Sequence, residues 1–132
     1  MRILSCYKCA TAITIDKYMT MELPISRVEG KSWLKDSVTV TLVDSQNLML
    51  YAVVARSEMG YHWGVRYETP TGGGINSAYN YTPPVSKLSA LREVMINSLK
   101  DYYITRHSGN QSNIERALAD LRQYEYQQLT LF

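Results

Sequence analysis

Cys6 and Cys9 stand in a Cys-Tyr-Lys-Cys pair, a spacing that serves half of a zinc site or a redox dithiol. A structural zinc needs four ligands, commonly two such pairs or one pair with two closely spaced histidines. The only histidines, His62 and His107, lie far from the pair and far from each other. A redox dithiol normally opens a helix after a strand, and the polar, β-branched residues after Cys9 do not read that way. The thiols are therefore taken as structural or incidental, and neither a metal nor a cofactor is expected.

The histidines also invite a search for a nucleophile, a base and an orienting acid. His62 with Glu58 or Glu68, and His107 with Asp101, are the pairs that the sequence allows. Spacing alone supplies no catalytic geometry, and a histidine near a helix C-terminus already has a structural reason to be there. Gly72-Gly73-Gly74 lies between strand-like and helix-like segments, where phosphate-binding loops occur. It lacks the Gly-Lys-Ser/Thr ending of a P-loop and the spaced glycines of a dinucleotide loop. A tightly turning loop is the simpler reading. An enzyme using that loop and a histidine stays as an alternative, and the chain is expected not to be an enzyme.

The elements that would position these residues are legible mostly in the middle of the chain. Val38-Thr39-Val40-Thr41-Leu42-Val43 alternates apolar residues with threonine, the pattern of a half-buried strand. Asp44 to Asn47 supplies turn chemistry, and Leu48 to Ala55 is a second, more uniformly apolar run. After a turn at Arg56 to Gly60, Tyr61, Trp63, Val65 and Tyr67 share one face of a third strand, with His62, Gly64 and Arg66 on the other. Upstream, Ala12 to Ile15 reads as a short strand with an irregular lead-in. Thr69 to Pro84 reads as a long loop. Ser86 caps a helix with Leu88, Leu91, Met95, Leu99 and Tyr102 on one stripe, ended by Ser108-Gly109-Asn110. Ser112 with Glu115 forms a capping box for a second helix, whose apolar face is Ile114, Ala117, Leu118, Leu121 and Tyr124. The expected fold class is α+β: an antiparallel three- to four-stranded meander followed by two amphipathic helices packed on one sheet face. The aromatic face of the third strand, which would otherwise suit base stacking, is the natural partner of those helices.

Composition sets the outer limits. The chain has 132 residues, 45% hydrophobic and 20% charged, which fits one self-sufficient globular domain. Net charge is +2 with the signs interspersed, so the clustered basic stripe of a nucleic-acid binder is missing. No apolar run approaches the ~20 residues that span a membrane, and no signal-peptide core follows Arg2. The expectation is a cytoplasmic, unprocessed protein.

Two resemblances add to this reading. Trp63-Gly64, Tyr67, Gly72 to Gly74, Pro83 and Ser86, within Tyr61 to Ser98, resemble small proteins of bacterial plasmids, prophages and conjugative elements. That likeness implies a genomic setting and no activity. The second lies in Gln128-Leu129-Thr130-Leu131-Phe132, which contains the only Phe of the chain beside eleven Tyr. It resembles the peptide by which bacterial replication and repair proteins bind the ring-shaped DNA sliding clamp, Gln-Leu-Ser/Asp-Leu-Phe, with Thr130 the one departure. The resemblance implies that Leu131 and Phe132 fill an apolar pocket, that Gln128 hydrogen-bonds at a second site and that Leu129 adds contact between them. Four specified positions at roughly 5% usage each recur at a given place about once in 10⁵ sequences. Residues 1–126 are thus expected to form one domain and 127–132 a docking tail, with a tail that merely packs on the domain as the alternative.

Overall fold

The computed structural model describes residues 12–28, 30–106 and 109–130, with side chains at 127–130 excepted. The elements are α1 (Ile15–Thr20), β1 (Val38–Asp44), β2 (Met49–Ser57), β3 (Gly60–Thr69), β4 (Gly72–Ile75), α2 (Lys87–Lys100), α3 (Tyr102–Thr105) and α4 (Asn110–Thr130). The four strands form one antiparallel meander in chain order. With helices layered on it, the architecture is α+β.

Register explains the main core. Leu50 pairs with Tyr67, Ala52 with Val65 and Val54 with Trp63, so these six side chains point to one face of the sheet. Leu88, Leu91, Val94 and Met95 of α2 and Ile114 and Leu121 of α4 cover that face. Tyr61, Trp63 and Tyr67 accordingly pack against the core. A bulge between Thr41 and Val43 inserts one residue into β1, so Leu42 and Val43 both join the same cluster despite being neighbours in sequence.

The other sheet face is covered too, which is why β2 is buried from Met49 to Ala55 without alternation. Two extended segments cross there as a short ribbon. Leu34 N–H donates to Ala78 O (2.8 Å) and Asn80 N–H to Ser32 O (3.1 Å). Leu34 and Ala78 then bury against Ala55 in a second, smaller cluster.

Several expectations need correction. Ala12 to Ile15 is not a strand: only Ile13 bridges, parallel to Val40. Thr14 caps α1, its Oγ1 accepting from Lys17 N at 3.1 Å. The apolar residues Ile15, Tyr18 and Met19 fall at helical spacing, and Tyr18 is buried with its hydroxyl donating to Lys87 O at 2.7 Å. The expected loop from Thr69 to Pro84 contains β4, whose glycines admit a close approach to Tyr67. A Cβ on Gly73 would lie 2.5 Å from Tyr67 O, and one on Gly74 would lie 3.0 Å from the Tyr67 ring.

The helix boundaries also move. α2 stops at Lys100, because Asp101 turns to cap α3, its Oδ1 accepting from Tyr103 N (2.8 Å) and Ile104 N (3.2 Å). Tyr102 therefore leaves the apolar stripe and is 81% exposed. The capping box fails because α4 begins at Asn110, upstream of Ser112. Gly109 adopts φ +86° before it, and the buried Asn110 side chain donates to Ile104 O at 2.7 Å. Among the described residues, no helix is long and apolar enough to cross a membrane.

Candidate functional site

Cys6, Cys9, His107, Leu131 and Phe132 lie outside the described residues. Gln128 and Leu129 fall on the helical backbone of α4, which continues to Thr130. The sequence placed the end of the domain at 126, and the helix passes it. Gln127, Gln128 and Leu129 are all good helix formers, so nothing local stops the helix there.

The grip of the domain on α4 can be followed residue by residue. Ile114 and Leu121 are buried in the core. Tyr124 donates through its hydroxyl to Asp16, and Glu125 pairs with Arg92 at 2.6 Å. That pair is partly exposed and contributes about 0–1 kcal/mol. The next residue, Tyr126, is 70% exposed. In any helix the last four carbonyls lack intrahelical partners, so the final turn is the part that unwinds at least cost.

Among the described residues His62 is buried, and its surroundings differ from those expected. It is held neither by Glu58 nor by Glu68: Glu58 pairs with Arg27 (3.5 Å) and Glu68 with Arg66 (4.0 Å). Its ring instead joins Ser57 Oγ to Nε2 (2.8 Å) and Thr82 Oγ1 to Nδ1 (3.3 Å). Hydrogen-bond direction follows from the far end of the chain. Thr82 donates to Tyr79 O at 2.9 Å, so it accepts from Nδ1–H. Nε2 is left to accept the Ser57 proton. Burial pushes the His62 pKa below its usual value, partly offset by the nearby carbonyls of Thr82 and Tyr79.

Ser57, His62 and Thr82 stand in the order of a nucleophilic relay, and the same bonds brace the fold. Thr82 occupies the place of an orienting carboxylate, and Ser57 Oγ also accepts Met59 N–H (3.2 Å) within the hairpin turn. The three residues tie β2, β3 and the ribbon together. A pH dependence follows. His62 is held neutral in the fold and charges more readily when unfolded. Its contribution to stability is complete above the unfolded value near 6.5 and declines as pH falls below it, by at most about 1.4 kcal/mol per pH unit. Urea titrations from pH 7.5 to 5 are expected to show this decline. His62→Gln is expected to flatten it.

The triglycine segment is strand, paired with β3 from Thr69–Gly72 to Arg66–Ile75, rather than a phosphate-cradling loop. An open depression joins Gly73 and Gly74 to Arg66. Arg66 is engaged by Glu68 and lies over the Tyr51 ring at 5.4 Å, and His62 is not among the lining residues. A cleft of about 320 Å³ between β3 and the α2–α3 junction includes Ser98 and Asp101. Those polar groups are committed to Val94 O and to the α3 cap. Among the described residues, no three His, Cys, Asp or Glu side chains cluster to hold a metal ion. No protein-family model, curated protein or solved structure matches the chain.

Proposed function

We propose that this chain is a non-enzymatic accessory protein of a bacterial mobile element or phage-like locus that docks on the DNA sliding clamp through Gln128, Leu129, Leu131 and Phe132. The observation that carries the reading is the sequence Gln128-Leu129-Thr130-Leu131-Phe132. Its placement supports it: the segment follows Tyr124 and Glu125, the last described side chains tied to the body of the domain, and the exposed Tyr126.

The energetics suit a weak, exchangeable partner. Burying a Leu or a Phe contributes ~1.5–3 kcal/mol each. Ordering the peptide and unwinding the last turn of α4 offset part of that gain, leaving an affinity on the order of micromolar. Such docking would recruit the domain to replicating DNA or displace other clamp-binding proteins.

The test is calorimetry of the purified chain with a bacterial sliding clamp, beside a version truncated after Gln128. Binding of the full chain is expected on the order of micromolar, weakened about a hundredfold or more by truncation. Unchanged melting of the truncated chain would show that only docking was lost. No binding by the full chain overturns the proposal and favours the alternative, a tail that is only structural.

A further inference from the structure

The ribbon on the second sheet face has an outward side that the core does not explain. Trp33 and Tyr79 form an antiparallel bridge. The flanking bonds, Leu34 N to Ala78 O and Asn80 N to Ser32 O, make it a non-hydrogen-bonded pair, the arrangement that brings facing side chains closest. Leu34 and Ala78 point inward to the small cluster, so Trp33 and Tyr79 point outward. Tyr81, two residues on, lies against Tyr79 with ring centroids 5.0 Å apart and planes 33° apart. Trp33 is 48% exposed and Tyr81 55%.

Two cationic side chains flank Trp33 in the chain. Lys31 and Lys35 are exposed two residues to either side of Trp33. Of the described acids nearby, Glu58 is paired with Arg27 (3.5 Å), while Asp36 is exposed, accepts from Ser26 Oγ (3.3 Å) and keeps its charge. The ribbon is also fixed in place, since the Asn80 side chain accepts from Ser32 N (2.9 Å) and donates to Gly30 O (2.8 Å). Open aromatic faces on a rigid support, with ammonium groups beside them, match unpaired bases on a phosphate backbone.

We propose that the Trp33–Tyr79–Tyr81 face, with Lys31 and Lys35, binds single-stranded nucleic acid, bases stacking on the rings and phosphates meeting the lysines. The site is independent of the C-terminal segment. The aromatic face of β3, expected from the sequence to pack under the helices rather than to stack bases, is packed there, and the Trp33 face is a different surface. Duplex is disfavoured because its base faces are already stacked.

The experiment is anisotropy of a labelled oligothymidylate of about 15 nucleotides with the full chain, together with tryptophan emission. Trp33 and Trp63 are the two emitters, and only Trp33 belongs to this face. Binding is expected to quench Trp33 emission and to weaken with salt. Trp33→Ala is expected to weaken binding about tenfold or more. Trp33→Phe keeps a stacking surface, so it should hold affinity within about threefold while the quenching disappears. Lys31→Glu with Lys35→Glu is expected to weaken binding about tenfold or more and to flatten the salt dependence. Absence of single-strand binding at about 50 mM salt overturns the proposal and makes a protein the better occupant. Binding by the Trp33→Ala or the double-lysine variant as tight as that of the parent chain, or equally tight binding of duplex, overturns it as well.

Discussion

Gly64→Ala is expected to lower the stability of the fold by about 3 kcal/mol or more. In a thermal melt that is a fall of about 10 °C for a chain of this size. Gly64 is buried on β3 and pairs with Val53. An added Cβ would lie 2.1 Å from Asn76 O and 2.7 Å from both the carbonyl carbon and oxygen of Ser77. These are backbone atoms, so no side-chain rotation relieves the clash. Asn76 N–H donates to Val65 O at 2.8 Å, which fixes that backbone on top of Gly64. Making room means lifting residues 76–77 and straining both this bond and the ribbon that follows. A melting point within about 2 °C of the parent would mean that the 76–80 segment does not lie on β3 as described.

The second large effect tests which residues of one sequence stripe belong to the core. Leu91 is fully buried in the main cluster, whereas Tyr102 is 81% exposed beyond the end of α2. Leu91→Ala is expected to cost about 2–5 kcal/mol, the transfer loss plus the cavity it leaves. Tyr102→Ala is expected to change stability by no more than about 0.5 kcal/mol. Urea denaturation of both variants measures the two values on one scale. Equal costs would show that the helix continues through Asp101 and that the Asp101 cap does not form.

That comparison shows where the sequence was readable. Strong local periodicity named the meander, the Ser86 cap and the inward faces of α2 and α4. The uniform run from Leu48 to Ala55 carried a further message, that both faces of β2 are covered, but nothing local identified the cover. The ribbon joins residues about 45 apart in the chain through very few hydrogen bonds, so no pattern of period two or 3.6 announces it. Lys31, Trp33 and Lys35 carry no such pattern either. α1 was misread because one helical turn and a short strand share their apolar residues. β4 was missed because glycines, usually breakers, are here what lets Tyr67 lie against the strand.

The candidate sites divide along the same line. The proposed clamp-docking segment is a linear motif, and the sequence alone displays it. The role of His62 depended on contacts that spacing could not supply. Ser57 stands five residues away across a tight hairpin, and a hydroxyl flanking such a turn is the one local signal for that contact. Thr82 reaches the ring only because the ribbon folds back over the sheet.

The borders of the sheet have a consequence for how copies of this chain meet. Along the outer side of β1, Ile13 donates to Thr39 O and accepts from Thr41 N, occupying two of the hydrogen-bonding places a foreign strand would take. The opposite border is β4, four residues long and three of them glycine, with little apolar side chain for a newcomer to grip. Strand-by-strand growth into fibrils starts from long, open, apolar margins, and this sheet ends in a plug on one side and a stub on the other. Ile13 and the triglycine therefore leave this sheet poorly suited to pairing edge to edge with a second copy.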